Sequence, residues 1–281
     1  MALATVSGDA QRIIFAHLCN VLDPGVAVAF SSVSSELWAL TQAPRQQLQA
    51  DYEAATALGR KAKKRSCKEL REAKNVVCQY KGLSSDDLAL LGTLGSVLPA
   101  LEQLNLIEPA ASPDGLQRLA EKLGAGALPA VTVLSVGGTH LGAAGASALV
   151  AALGRGALPR LKFLYLGNTT IGDAGLVALA PALRRRPALE NLGLSRDPLG
   201  DEGLAALVAP PTGGLAKLKS LDLSYTQVTN AGCAALAAAI DSGALPALEH
   251  VQLHGIPASD AAKAAVGEAL LTKSIAAAAL S

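Results

Sequence analysis

Apolar residues recur along the chain as a six-residue pattern in which the first, fourth and sixth positions are apolar. Clear copies of this pattern begin at Leu101, Val131, Leu161, Leu189, Leu218 and Leu248. Successive starts lie 30, 30, 28, 29 and 30 residues apart, and a degenerate copy begins at Ala73, 28 residues before Leu101. Seven copies at one period indicate structural units that stack on each other and share one core.

Each copy has a strand-like half and a helix-like half. In the third clear copy, Leu164 and Leu166 alternate with Phe163 and Tyr165, which predicts a short strand with both leucines inward. Residues 171–183 then carry apolar positions at helical spacing. The repeated unit predicts an α/β fold, a right-handed solenoid with parallel strands on the concave side and helices on the convex side.

The helical half of several copies begins with a polar residue followed two positions later by glycine. Asp173, Asp201 and Asn230 are placed to cap the helix of their own copy. The recurrent glycines are Gly145, Gly175, Gly203 and Gly232. We interpret them as positions where the helix closely approaches the strand.

This pattern resembles the leucine-rich repeats of the ribonuclease-inhibitor subclass, which includes Ran GTPase-activating proteins and the sensor domains of NOD-like receptors. The resemblance covers residues 71–272 and rests on the strand pattern followed by IGDAGLVALAPAL in residues 171–183. It implies the solenoid fold. It does not imply one function, because the same fold serves many partners.

The chain departs from that subclass three residues after the last strand leucine, where the family has asparagine or cysteine. The slot holds Pro109, Thr139, Thr169, Asp197, Thr226 and Ile256. Threonine or aspartate can partly replace the hydrogen-bonded asparagine, whereas Pro109 and Ile256 cannot. We therefore expect the first and last turns to be looser.

Two further departures lie in the helical halves near the end of the chain. Pro210 and Pro211 cannot continue a helix, so we expect a bulging convex loop at residues 209–214. Lys263 takes the slot that Leu176 holds in the clearest copy, which suits a terminal repeat with nothing stacked beyond it. Residues 272–281 are expected to fray.

The N-terminal residues 9–58 have no strand pattern and predict three short amphipathic helices. The turn Leu22-Asp23-Pro24, followed by Val33-Ser34 and Trp38, resembles an F-box, a three-helix module. That resemblance implies docking on the Skp-type adaptor of a cullin ubiquitin ligase. The alternative is a helical cap over the apolar end of the first repeat, which a solenoid requires.

Basic residues concentrate between these helices and the first repeat. The pairs Arg65–Glu69 and Lys68–Glu72 have helical i, i+4 spacing, which predicts a solvated linker helix. The alternative interpretation is a nuclear-import or nucleic-acid patch within residues 61–65. Few aromatic residues are interleaved with it, which disfavours base stacking.

These patterns divide the chain into a helical F-box-like or capping segment (1–58), a basic linker helix (59–72), the solenoid (73–272) and a flexible tail (273–281). Aromatics are only 3% of 281 residues against 51% hydrophobic residues, so leucine, alanine and valine must build the core. The net charge of +1 gives no global field that attracts nucleic acid or an anionic membrane.

The cysteine pattern and the hydropathy point to one kind of compartment. Four scattered cysteines form no metal-binding or disulfide framework, which fits a reducing compartment. We find no signal peptide and no apolar run long enough to span a membrane. We therefore expect a cytoplasmic protein with possible nuclear access.

The sequence carries no motif that predicts catalysis, a metal or a cofactor. P-loop, GxSxG and HExxH motifs are absent. His250 and His254 share a strand face, but four strand residues span about 13 Å, too far to chelate one metal ion. Ser220, Asp222 and His250 lie on adjacent predicted strands, whose flat surface does not favour a catalytic triad. We expect a non-enzymatic protein.

The outward strand positions and the adjacent loop edge form the candidate binding surface. The residues that we expect to contact a protein partner are Phe163, Tyr165, Asn191, Asp222, Tyr225, His250 and Gln252. Aromatic side chains are frequent interface anchors, although exposed strand positions also favour them.

Three functions remain open from the sequence. The first is a protein-interaction scaffold that binds through the concave surface. The second is a substrate receptor of a cullin ubiquitin ligase, in which the F-box-like segment holds the adaptor. The third, from the resemblance to Ran GTPase-activating proteins, is a GTPase activator with Asn168 and Arg196 as its candidate loop-edge residues.

Overall fold

The computed structural model describes residues 7–107, 114–209 and 215–279, with side chains up to residue 276. Within these ranges the N-terminal helices are α1 (Gly8–Leu18), α2 (Gly25–Ser31), α3 (Ser35–Leu40), α4 (Gln42–Lys61) and α5 (Cys67–Arg71). The strands are β1 (Asn75–Gln79), β2 (Gln103–Ile107), β3 (Val133–Ser135), β4 (Phe163–Tyr165), β5 (Asn191–Gly193), β6 (Ser220–Asp222) and β7 (His250–Gln252). The helices that follow these strands are α6 (Ser85–Leu94), α7 (Gly115–Lys122), α8 (Gly142–Gly154), α9 (Gly172–Arg184), α10 (Asp201–Val208), α11 (Asn230–Asp241) and α12 (Asp260–Ala279).

The seven strands of the described residues form one parallel sheet whose spatial order follows the sequence from β1 to β7. Equivalent residues pair along the sheet, as when Leu134 aligns with Leu164 and Leu164 aligns with Leu192. Each inward leucine therefore stacks on the same leucine of the next repeat, and these side chains are buried. The predicted α/β architecture with one strand and one helix per repeat is confirmed.

The polar slot after each strand is used in two ways. The hydroxyls of Thr169 and Thr226 donate to the carbonyls of Leu166 and Leu223 in their own turns, at 2.6 and 2.7 Å. These threonines therefore close their own turns. Pro109 lies outside the described residues, and Ile256 is a buried apolar side chain.

Among the described slot residues, Asp197 alone reaches back to the preceding repeat with its side chain. Its Oδ1 accepts hydrogen bonds from the backbone N–H of Thr169 at 2.8 Å and of Ile171 at 3.3 Å. Burial raises the pKa of this carboxyl to about 6, and these N–H donors only partly oppose the rise. Within the described residues its Oδ2 has no hydrogen-bond partner.

The helix-start carboxylates cap the following repeat, so the expectation that they cap their own helices is wrong. Asp173 Oδ1 accepts from the backbone N–H of Gly200 at 2.7 Å and of Gly203 at 2.9 Å. Asp201 likewise accepts from the Thr229 N–H at 2.8 Å. Helices of consecutive repeats pack side by side, so a side chain in one first turn reaches the free N–H groups of the next.

Asn230 continues this series by accepting from the Ser259 N–H at 2.7 Å. Gly203 and Gly232 make room for these bonds, whereas Gly145 and Gly175 make room for the side chains of Leu141 and Ile171. A Cβ added at Gly203 would lie 2.7 Å from Asp173 Oδ1. Close approach is thus confirmed, but in this repeat the neighbour is the preceding carboxylate rather than a strand.

The opposite helix ends are joined by basic side chains that donate backwards. The Arg155 guanidinium donates to the carbonyls of Ala120 and Leu123, both at 3.0 Å, at the end of α7. Arg186 donates to the Ala157 carbonyl at 3.1 Å. Positive charge at a helix C-terminus satisfies carbonyls that lack an intrahelical partner and complements the helix dipole.

The convex side and the tail differ from the sequence expectation in one respect. Most of the expected loop at 209–214 lies outside the described residues. Lys263 is half-buried on α12 and lies 3.6 Å from Asp260. The expected fraying from Thr272 onward is wrong as far as residue 279, because α12 continues to Ala279 through alanines, which have the highest helix propensity.

The N-terminal helices form two apolar clusters. Phe15, Ala27 and Leu48 make a small cluster among α1, α2 and α4. Leu58 and Leu70, from α4 and α5, belong instead to the main buried cluster that runs through the repeats. The end of α4 and all of α5 therefore pack on the first repeat.

The expected single basic linker helix is wrong. Helix α4 extends to Lys61, a turn follows, and α5 begins only at Cys67. Glu69 does meet Arg65, but through the backbone: its Oε2 accepts from the Arg65 N–H at 2.8 Å. Ser66 caps α5 by accepting a hydrogen bond from the Glu69 N–H. The helix is therefore interrupted where a serine can start a new one.

We predict that Asp197→Asn makes the free energy of unfolding less dependent on pH. The carboxyl pKa of about 6 in the folded state exceeds the unfolded value near 3.8. The folded protein therefore binds this proton more tightly, and that stabilisation is complete below about pH 4 and lost as the pH rises through 6. The variant should gain about 2–3 kcal/mol relative to the wild type between pH 4 and 7.5.

Urea unfolding at several pH values measures this difference. Asp241→Asn, which changes an exposed carboxylate on α11, is the control and should follow the wild type. Parallel curves for Asp197→Asn and wild type would contradict the assignment.

We predict that Asp173 and Gly203 are energetically coupled. Asp173→Ala should cost about 1 kcal/mol because two helix-start N–H groups lose their acceptor. Gly203→Ala should destabilise the wild type, where the new Cβ meets Asp173 Oδ1. It should cost less in the Asp173→Ala background. A double-mutant cycle measures the coupling, and strictly additive effects would rule it out.

Candidate functional site

The outward strand positions line up in two rows across the sheet. The first row aligns Phe163 with Asn191 on the next strand, and Ser220 with His250 further along. The second row contains Tyr165, Gly193, Asp222 and Gln252. The structure thus brings the predicted strand residues onto one face, with Phe163 and Tyr165 beside Asn191 and with His250 and Gln252 at the far edge.

Tyr165 packs against a glycine on the neighbouring strand. A Cβ at Gly193 would lie 2.8 Å from Tyr165 Cδ1, so the tyrosine ring lies over the bare backbone of β5. The ring remains 39% exposed. Only a glycine leaves room for this ring, and the sequence pattern did not reveal that role.

Tyr225 is arranged in the same way one turn beyond the sheet. Its ring lies over Gly255, whose added Cβ would overlap it. The Arg196 guanidinium also lies over the Tyr225 ring, with its Cζ 4.7 Å from the ring centroid. Sequence reasoning placed Arg196 and Tyr225 at one edge, but it did not identify their contact.

These edge residues share an unusual backbone conformation. Asn168, Arg196 and Tyr225 have φ values of 58°, 61° and 58°, and Gly255 takes the same conformation at 66°. At Asn168 the N–H donates to a carbonyl of the following repeat at 2.8 Å, and Arg196 does likewise. A left-handed conformation costs a non-glycine residue about 1–2 kcal/mol. The turn therefore holds these residues in a backbone conformation that is unfavourable for residues other than glycine, and this conformation sets the direction of their side chains.

Charges at the opposite rim are paired with each other. Lys162 lies 3.1 Å from Glu190, and Lys219 lies 3.8 Å from the same carboxylate. The hydrogen bond from Lys162 lowers the pKa of Glu190. On the sheet itself, Asp222 Oδ1 accepts from the Ser224 N–H at 2.9 Å. The centre of the face therefore presents aromatic and amide groups between charged rims.

The geometry offers no constellation for chemistry within the described residues. Asp222 is directed to the Ser224 backbone, and no hydrogen bond joins it to His250 there. The described part of the chain contains no group of three or more histidine, cysteine, aspartate or glutamate side chains able to hold a metal ion. In that same part, no helix is long and apolar enough to cross a membrane.

The comparisons with solved structures give distant matches. The actin-binding site 2 of leiomodin-1 matches with 14% identity and a TM-score of 0.42, over 67% of this chain and 88% of that one. A tropomodulin C-terminal domain from Caenorhabditis elegans has 17% identity and a TM-score of 0.41, over 69% and 95%. An internalin from Listeria monocytogenes has 20% identity and a TM-score of 0.40, over 73% and 56%.

The sequence comparisons identify the repeat itself. A family model described as leucine-rich repeat matches residues 158–180 and 214–237. No curated protein matches the sequence. The ribonuclease-inhibitor subclass and the F-box-like segment are not tested by these matches and stay predictions. The chain therefore contains leucine-rich repeats and has the fold of a leucine-rich-repeat solenoid built on one parallel sheet.

Proposed function

We propose that this protein is a non-enzymatic scaffold that captures a partner protein on its concave face. The observation that carries the proposal is the aromatic pair of half-buried Phe163 and exposed Tyr165 on the outward face of β4, with the Tyr165 ring packed over Gly193. A ring that already packs on the neighbouring strand loses less conformational freedom on binding than a fully solvated ring. Aromatic side chains of this kind are common interface anchors.

The shape of the face favours a protein over a small molecule. Adjacent strands lie about 4.8 Å apart, so Phe163, Tyr165, Asn191 and Asp222 fit within a patch about 15–20 Å across. A flat patch of this size suits the centre of a protein interface, whereas small-molecule sites are concave pockets. Tyr225, stacked with Arg196, supplies a second anchor at the loop edge. His250 and Gln252 extend the same surface as its polar border.

A second candidate is a substrate receptor of a cullin ubiquitin ligase. The observation that favours it is exposed apolar surface on the N-terminal helices, where Ile13, Val33 and Trp38 are about half or more exposed. The Arg45 guanidinium lies 3.3 Å from the centroid of the Trp38 ring. Small helices that leave such side chains uncovered suit docking on a Skp-type adaptor. In this case the concave face holds the substrate.

A third hypothesis, GTPase activation, rests on the resemblance to Ran GTPase-activating proteins alone. Asn168 and Arg196 lie on the edge turns, and Arg196 stacks on Tyr225. A GTPase turnover assay with the purified chain tests this hypothesis.

We predict that Phe163→Ala combined with Tyr165→Ala abolishes partner capture and barely changes Tm. Loss of a true anchor typically costs 2 kcal/mol or more of binding, roughly a thirtyfold loss of affinity. Both side chains point away from the leucine core, so the fold should tolerate their loss. Affinity capture with quantitative mass spectrometry compares the variant with the wild type.

The matched control is Val177→Ala, which removes an exposed apolar side chain from the helix of the same repeat. It should retrieve the wild-type partners. Unchanged capture by the double variant would mean that the concave face is not the binding site.

We predict that the adaptor, if it binds, is lost on Trp38→Ala combined with Val33→Asp. The two side chains are exposed, so their replacement should remove apolar contact without unfolding the helices. Co-expression with a Skp-type adaptor and co-purification provides the measurement. Failure of the wild-type chain to retain the adaptor would eliminate the ubiquitin-ligase function and leave the scaffold proposal standing.

A further inference from the structure

The basic residues at the end of α4 and directly after it have two different roles. Lys61 Nζ lies 2.6 Å from Asp87 Oδ2 and 2.9 Å from the Gly82 carbonyl, so it fastens α4 to the first repeat. Lys63 and Lys64 come after the helix and take no part in that contact. Lys61 therefore forms a structural ion pair with Asp87. The basic residues of the run 61–65 do not form one continuous charged patch.

The turn at the end of α4 directs the next two lysines. Lys63 has a φ of 58°. Its N–H donates to the Arg60 carbonyl at 3.0 Å, while the Lys64 N–H donates to the Gly59 carbonyl at 2.7 Å. This pair of bonds is the Schellman arrangement, in which glycine usually occupies the left-handed position. Lysine therefore occupies a position where the backbone conformation favours glycine.

The two lysines border a hollow beside the first strand, which we call the lysine hollow. Its lining includes the side chains Lys63, Lys64, Asn75, Val77, Gln79 and Lys81. The lining contains no acidic side chain. Within the described residues, Lys63, Lys64 and Lys81 form no salt bridge with any carboxylate. The hollow thus gathers three positive charges that the described residues do not neutralise.

The floor of the lysine hollow is the open edge of the sheet. Strand β1 has β2 as its single neighbour in the described sheet. The Lys74 carbonyl accepts from the Gln103 N–H, and the Tyr80 N–H donates to the Ile107 carbonyl, both at 2.9 Å. Since alternate residues of a strand bond to the same side, the odd-numbered residues, including Val77, direct their N–H and C=O groups toward the open edge.

That edge has no backbone partner among the described residues. In the described part of the chain, no backbone hydrogen bond joins the turn at residues 62–66 to β1. The Val77 side chain is 44% exposed, and Tyr80, at the end of the strand, is 72% exposed. An exposed strand edge is a template for an extended peptide, which gains main-chain hydrogen bonds and side-chain contacts together.

We propose that the lysine hollow binds an extended acidic segment of a partner protein, laid along the open edge of β1. Carboxylates of the segment pair with Lys63, Lys64 and Lys81, and an apolar residue between them covers Val77. A peptide fits better than a nucleic acid because the neighbouring outward positions are the neutral Asn105 and Ser135, so the positive charge does not continue across the sheet. A nucleic-acid site tracks many phosphates along a continuous basic groove.

This surface is distinct from the aromatic pair. Three strand spacings separate β1 from β4, roughly 14 Å, so the acidic segment does not require Phe163 or Tyr165. A partner that carries both features would bridge the two sites. The failure of either proposal leaves the other intact.

Fluorescence anisotropy of the full chain with a labelled decapeptide in which pairs of glutamates alternate with pairs of valines tests the proposal, because each face of the extended peptide then carries both residue types. We expect saturable binding that weakens as salt rises, because the ion pairs are solvent-exposed. Lys63→Glu combined with Lys64→Glu should abolish it, and Lys81→Gln should raise Kd about tenfold, as for a lost charged hydrogen bond. The matched control, Lys68→Glu with Lys122→Glu, makes the same charge change outside the lining and should leave most of the binding intact.

Lys63→Gly separates recognition from folding. Glycine relieves the left-handed strain, so Tm should rise by about 2–4 °C, while peptide binding weakens. The variant Phe163→Ala with Tyr165→Ala should bind the peptide as the wild type does. The proposal is overturned if the wild-type chain does not bind the peptide. It is equally overturned if the control pair of substitutions acts like the hollow pair, or if a single-stranded oligonucleotide binds the hollow more tightly than the peptide.

Discussion

The backbone N–H and C=O groups at the ends of each helix have no partner within that helix, and the solenoid depends on satisfying them between repeats. Asp173 reaches forward to Gly200 and Gly203, while Arg155 reaches backward to Leu123. Apolar stacking of leucines is non-directional and permits sliding. The polar bonds at both helix ends fix how far each repeat is displaced from the last, and with that the alignment of the strands on the other side.

The sequence was sufficient for the parts of the fold that depend on periodicity. Leu164 and Leu166 predicted one strand and its inward face, and the near-constant spacing predicted that equivalent residues would align. It was insufficient wherever a side chain serves a neighbour about 30 positions away. Asp173 looks like a cap for its own helix because local spacing shows only local partners. The break after Lys61 was missed because the i, i+4 charge pairs suited a helix that a competing cap at Ser66 interrupts.

The candidate site follows the same division. Sequence alternation placed Phe163 and Tyr165 on the outward face, since a strand has a side-chain period of two. It carried no information on Gly193 as the support for Tyr165, or on the stacking of Arg196 on Tyr225. Each of those contacts joins two repeats, and each requires knowledge of which turn stands opposite. The face on which a side chain lies could be predicted from the pattern of one repeat, whereas its packing contacts depend on the structure of two neighbouring repeats.

In the edge turns at Asn168, Arg196 and Tyr225, the groups that close the turn are different from the side chains that face the solvent. The bonds that close these turns use backbone groups and the hydroxyls of Thr169 and Thr226, not the side chains of these three residues. Gly255 adopts the same backbone conformation as the three larger residues. The frame therefore sets no requirement for an amide, a guanidinium or a phenol at the first three positions, whereas the fourth needs glycine because the Tyr225 ring lies over it. Repeat duplication can copy the turn, and point mutation can then rewrite its side chain. The loop edge is therefore a set of positions at which substitutions can create new binding surfaces while the core of the solenoid stays the same.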